Sequence, residues 1–88
     1  MEVDFTRNFL NILENIKNED LLQKIKESIE NVIKAKSIAE ISNLKKLFGH
    51  KVYYRIKIGD YRIGIEKIEN QMRFLTFLHR KDIYKKFP

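Results

Sequence analysis

The 88-residue chain has no cysteine, no tryptophan, one proline and three glycines. Without cysteine there is no disulfide framework, no thiol nucleophile and no Cys-based zinc site. So little proline and glycine leaves no room for a flexible linker or a low-complexity tail. Its apolar runs fall far short of the ~18 residues of a membrane span. The opening Met1-Glu2-Val3-Asp4 lacks the basic start and apolar core of a secretory signal, so a cytoplasmic location is expected. The two histidines, His50 and His79, are far apart and form no His-x-x-x-His pair. Neither Gly-x-Gly-x-x-Gly nor Gly-x-x-x-x-Gly-Lys-Ser/Thr occurs, and no serine sits in a Gly-x-Ser-x-Gly context. The expectation is therefore no metal and no cofactor.

What is present is an ordinary globular mixture, 43% hydrophobic and 34% charged, with a net charge of +6 and a pI near 9.6. The charge is uneven. Residues 1–36 hold six basic and seven acidic side chains, a net of −1, and residues 37–88 hold twelve and five, a net of +7. Such asymmetry points to a polyanionic partner, nucleic acid first. Solubility alone would also account for it, because small domains often carry ~2–8 charges. Placement has to decide.

Hydrophobic spacing predicts one domain over residues 1–88, of the α+β class, with an N-terminal helix pair packed on one face of a small antiparallel sheet. Val3 to Phe5 reads as a short strand, and Thr6 can cap a helix bearing Phe9, Ile12, Leu13 and Ile16 on one face. Asn18 or Asp20 can cap a second, with Leu21, Leu22, Ile25, Ile29, Val32 and Ile33 as its stripe. Residues 37–51 read as a loop into which Leu44, Leu47 and Phe48 tuck. After Gly49 the period changes to two, giving strands at 52–58, 61–68 and 71–79 with tight turns at Gly59-Asp60 and Glu69-Asn70. A helical turn is expected over Lys81 to Phe87.

These turns imply a register. Ile58 pairs with Tyr61, Lys57 with Arg62, Ile56 with Ile63 and Arg55 with Gly64. Beyond the second turn, Glu66 pairs with Arg73, Ile65 with Phe74, Gly64 with Leu75 and Arg62 with Phe77. One face then holds Val52, Tyr54, Ile56, Ile58, Tyr61, Ile63, Ile65, Met72, Phe74 and Leu78, fit to bury the helices. The other holds Tyr53, Arg55, Lys57, Arg62, Gly64, Glu66, Arg73, Phe77 and His79. Lys57 directly opposite Arg62 is unfavourable within a cross-strand scale of roughly 0.2–1 kcal/mol. Either these long side chains splay into water, or they form a cationic cleft for phosphate. Tyr53 and Phe77 could stack on bases, and Gly64 would keep the floor low. His79-Arg80-Lys81 and Tyr84 follow at once; Tyr84 could equally pack down on the core. Arginine and lysine without metal ligands suit phosphodiester cleavage in which the 2′-hydroxyl of RNA is the nucleophile.

Tyr54-Arg55-Ile56-Lys57-Ile58-Gly59-Asp60-Tyr61-Arg62-Ile63 and Leu78-His79-Arg80-Lys81-Asp82-Ile83-Tyr84, in this order behind a strand and a helix pair, resemble the RelE/ParE superfamily of type II toxin–antitoxin toxins, in its RelE-like branch of mRNA interferases. The resemblance spans nearly the whole chain. It implies a metal-independent endoribonuclease that cuts mRNA on the ribosome and so inhibits translation. Carried over by position, it implies catalytic roles for Lys57, Arg62, Arg80 and Tyr84. Lys57 or Tyr84 would help deprotonate the 2′-hydroxyl, while Arg62 and Arg80 would stabilise the phosphate. Arg55, Tyr53, Phe77, His79 and Lys81 would bind RNA. Two departures are visible: Arg55 stands where the branch has a lysine, and the segment from Arg80 to Tyr84 is shorter. The implied partners are a cognate antitoxin, the ribosome and mRNA, with no membrane. The free toxin would be monomeric, with a higher-order complex on antitoxin binding. The alternatives are a ParE-like gyrase-inhibiting toxin and a non-catalytic nucleic-acid-binding module.

Overall fold

The Thr6 side chain joins the first strand to the first helix. Strand β1 (Glu2–Phe5) ends there, and Oγ1 of Thr6 accepts a hydrogen bond from the Phe9 amide at 3.2 Å, capping α1 (Arg7–Glu14). Asn18 caps α2 (Glu19–Lys34) in the same way, its Oδ1 accepting from the Leu21 amide at 3.1 Å. Glu19 and Asp20 in the first turn of α2 and Lys34 in its last complement the helix dipole. The computed structural model describes residues 1–47 and 49–88; Phe48 lies outside the described residues.

The expected meander is present as β3 (Tyr53–Ile58), β4 (Tyr61–Ile68) and β5 (Gln71–His79). Two further strands extend it. β2 (Leu44–Lys46) pairs antiparallel with β3, and β1 pairs parallel with β5, so the five-stranded sheet runs β1-β5-β4-β3-β2. The sheet is therefore mixed. Residues 37–51, read as a loop, contain β2 and a 3-10 turn at Ile38–Glu40. Three residues are too few for alternation to show. The last element, α3 (Arg80–Lys86), begins one residue before its expected start.

Helices cover both faces of the sheet. Phe9 from α1 and Ile25 and Val32 from α2 share a buried cluster with Ile56, Ile63, Ile65, Met72 and Phe74. Phe9 and Phe74 lie with ring centroids 5.5 Å apart, and Phe5 packs beside both. Full burial of each such side chain contributes about 1.5–3 kcal/mol. On the opposite face Ile83 of α3 and Phe87, the residue that follows α3, form a second, smaller cluster with Leu47, flanked by Tyr53, Leu75 and Leu78.

A bulge in β5 decides which residues meet which helix. Gly64 pairs with Thr76 and Ile65 with Phe74, leaving Leu75 without a partner on β4. The Leu75 carbonyl instead accepts from Thr6 Oγ1 at 3.1 Å and Asn8 Nδ2 at 3.0 Å. One inserted residue reverses the alternation beyond it. The Gly64–Leu75 and Arg62–Phe77 pairs are thus replaced by Gly64–Thr76 and Arg62–Leu78. Phe77 turns into the helix-pair core opposite Ile63, and Leu78 turns toward α3.

Candidate functional site

The hairpin β3–β4 carries the basic side chains. Its turn places Gly59 at φ +56°, where glycine meets no steric penalty, and pairs Lys57 with Arg62 and Arg55 with Gly64 as expected. Arg55, Lys57 and Arg62 consequently point to the α3 side of the sheet. Among the described residues none of them has a carboxylate within salt-bridge distance. Arg73 does, and its partner is Asp4 of β1 at 3.1 Å.

Backbone carbonyls hold two of the guanidinium groups. Arg62 donates through Nη1 to the carbonyls of Gly59 (2.9 Å) and Tyr61 (2.8 Å). Arg55 donates through Nη1 to the carbonyl of Asn43 at 3.2 Å, while its buried Nε has no partner. Asn43 adopts φ +63°, and its carbonyl also accepts from the Lys57 amide at 3.2 Å. A carbonyl orients a guanidinium without cancelling its charge. Lys57 is exposed.

Helix α3 hangs from the same turn. The Arg80 amide donates to the Asp60 carbonyl at 2.8 Å, and Arg80 Nε lies 4.0 Å from the Asp60 carboxylate. Both side chains are mostly exposed, so the pair orients more than it stabilises. Ile83 and Phe87 face the sheet, four residues apart; Arg80 and Tyr84 share another stripe of the helix. Tyr84 is 68% exposed and does not pack into the core. Lys81 is exposed beside Arg80.

The structure therefore gathers Arg62 and Arg80 around one turn, with Arg55 and Lys57 on the adjoining strand and Tyr84 one helical turn beyond Arg80. It separates two other residues from that group and half-buries a third. Phe77, 7% exposed, lies in the helix-pair core and cannot be an open stacking surface on the basic face. His79 also turns away from that face. It pairs with Tyr61, meets its ring edge-on at 5.5 Å and accepts from the Lys81 amide through Nδ1 at 3.2 Å as the α3 cap. Tyr53 is on the basic face as expected, but its ring is half-buried between Phe87 and His50. The bulge accounts for Phe77 and His79, and α3 accounts for Tyr53. Sequence reasoning missed Asn43 and Asp60 as holders of Arg55 and Arg80; the turn-prone identity of both was the available signal.

Residues 3–84 match the family model described as ParE toxin of type II toxin–antitoxin system, parDE. Toxin RelE3 of Methanocaldococcus jannaschii is 37% identical over 89 residues, covering all of both chains. The chain belongs to the type II toxin–antitoxin toxins of the RelE/ParE superfamily, and it is RelE-like. The fold agrees. The toxin chain in the RelB-RelE antitoxin–toxin complex from Methanococcus jannaschii superposes with a TM-score of 0.77 at 35% identity, over 97% of this chain and 99% of that one. The archaeal RelE-RelB complex from Pyrococcus horikoshii OT3 gives a TM-score of 0.72 at 18% identity, over 90% and 93%, and supports the fold alone. No helix of this RelE-like toxin, among the described residues, is long and apolar enough to cross a membrane.

Proposed function

We propose that this RelE-like toxin is a ribosome-dependent endoribonuclease that cleaves mRNA without a metal ion and so stops translation, its 88 residues acting as one unit in the cytoplasm. One observation carries the reading: Arg62 and Arg80 converge on a single hairpin turn, beside Arg55 and Lys57, with carbonyls rather than carboxylates fixing Arg62 and Arg55. Such a group is suited to the extra negative charge of a pentavalent phosphate.

In this mechanism the 2′-oxygen attacks the adjacent phosphorus, the bond to the 5′-oxygen breaks, and a 2′,3′-cyclic phosphate remains. The 2′-hydroxyl proton passes to Lys57 as the neutral amine or to Tyr84 as the phenolate, and the departing 5′-oxygen takes a proton from solvent. Arg62 and Arg80 stabilise the phosphate oxygens, and forked guanidinium donors match them better than ammonium groups do. Arg55 and Lys81 position the RNA backbone. A cognate antitoxin neutralises the toxin in the bound state; RelB is the partner of the similar RelE chains.

The test is induction of the protein in cells without its partner, followed by mapping of mRNA 5′ ends. Codon-phased cuts within translated regions support the reading. Growth arrest with intact mRNA and damaged DNA supports the ParE-like alternative, which the ParE description of the matching family model favours. Absence of arrest supports a non-catalytic binding module.

A further inference from the structure

Tyr61 is the first residue of β4, directly after the turn on which Arg62 and Arg80 converge. It alternates with Arg62, so its ring points to the helix-pair side of the sheet. There it stacks on Phe77 with centroids 5.1 Å apart and planes within 16°, and it meets His79 edge-on. The stack is braced from beneath by the core, since Phe77 is buried, yet Tyr61 itself remains 37% exposed. A tyrosine wanted only for packing would gain by sinking further.

The ring borders a cleft of about 430 Å³ between the start of α2 and the hairpin turn, lined by Asn18, Asp20 and Lys24 opposite Gly59, Asp60 and Tyr61. Lys24 and Gly59 also line an adjoining hollow that reaches Lys57. The cleft is thus continuous with the strand that carries Lys57, whose side chain points to the other face. The turn between them is held by Arg62 at the Gly59 and Tyr61 carbonyls and by Arg80 at the Asp60 carbonyl. A chain whose phosphate rests on those arginines, and which bends over the turn, would bring a neighbouring unit to the cleft on the other face. The cleft offers that unit an aromatic face, a carboxylate and an ammonium group. It falls in the size range of small-ligand pockets.

We infer that the cleft is a nucleobase subsite, in which Tyr61 stacks on a base flanking the scissile phosphate while Asp20 and Lys24 face its polar edge. The inference rests on the ribonuclease reading for its placement next to the cut, and it adds a base-holding site on the sheet face opposite the basic residues. Tyr61 is a positioning residue here: it acts on binding and register, not on the reacting atoms.

The experiment uses ribosomes stalled with an empty A site on mRNA that carries 2-aminopurine at one A-site codon position, with 2′-deoxyribose there to block cutting. Wild-type protein is expected to change the fluorescence at a single position. Tyr61→Phe should retain that signal, because the ring is kept. Tyr61→Leu, which still covers Phe77, should lose the signal and bind about fivefold or more weakly, the lower end of what one stacked base contributes. A thermal melt confirms that Tyr61→Leu is folded. No position responding to wild-type protein, an unchanged signal with Tyr61→Leu, or loss with Tyr61→Phe would each overturn the subsite. Cleavage of unmodified mRNA in a parallel reaction reports the ribonuclease reading separately, since the fluorescence requires no cutting.

Discussion

Phe87 lies directly over Gly64. A Cβ at position 64 would stand 2.9 Å from Phe87 Cε1 and 2.9 Å from Thr76 Cγ2. The absence of a side chain on β4 is what lets the end of α3 sit against the sheet, and α3 carries Arg80 and Tyr84. Gly64→Ala should therefore destabilise the fold by about 1–3 kcal/mol through overpacking. Combining it with Phe87→Leu should recover part of that loss. Urea denaturation of the two single variants and the double variant checks both statements.

Asn43 supplies one carbonyl to both the Arg55 guanidinium and the Lys57 amide, and it does so at a positive φ. Asparagine tolerates that conformation and a β-branched residue does not. Asn43→Gly should leave stability within about 0.5 kcal/mol, the range of uneventful surface changes. Asn43→Val should cost roughly 1–2 kcal/mol, the left-handed penalty of one residue. Cleavage should fall with Asn43→Val and hold with Asn43→Gly, measured beside the denaturation curves.

Strand β1 reaches β5 across most of the chain length, and the Asp4–Arg73 pair marks their register. Both side chains are more than a third exposed, so the coupling should lie within about 0.2–1 kcal/mol. A double-mutant cycle with Asp4→Asn and Arg73→Gln reads this, and added salt should shrink it.

The hairpin was legible in the sequence because Gly59-Asp60 fixes the pairing and strict alternation from Tyr53 to Arg62 fixes the faces. The caps at Thr6 and Asn18 were legible for a similar reason, each standing just before a helical stripe. The bulge at Leu75 was not. Neither Leu75 nor Thr76 is a residue that marks an irregular strand, and what holds the bulge is Thr6 and Asn8, far away in sequence. Its consequence reached the site, because Phe77, Leu78 and His79 all changed faces. The parallel pairing of β1 with β5 left no local trace either. Of the candidate site, the cationic cluster followed from alternation and resemblance, whereas the burial of Tyr53 depended on where α3 comes to rest.

If the basic face binds RNA through phosphate, affinity should fall with salt, with a slope of about −0.7 per phosphate contacted on a single strand. Neutralising Arg55 as Arg55→Gln should reduce the slope by roughly that amount. A titration of single-stranded RNA over a range of potassium chloride concentrations gives the number. An unchanged slope would remove Arg55 from the phosphate contacts.

Cleavage of mRNA on stalled ribosomes by purified protein tests the central claim most directly, with Arg62→Ala and Arg62→Lys alongside the wild type. The wild-type protein should yield an upstream fragment ending in a 2′,3′-cyclic phosphate, and a single 2′-deoxy substitution at the cut should abolish the product. Arg62→Ala should lower the rate about a hundredfold or more, the usual cost of losing one transition-state donor. Arg62→Lys should restore only part of it, for want of the fork. Unimpaired cleavage by folded Arg62→Ala, or products from the 2′-deoxy substrate, would contradict the account.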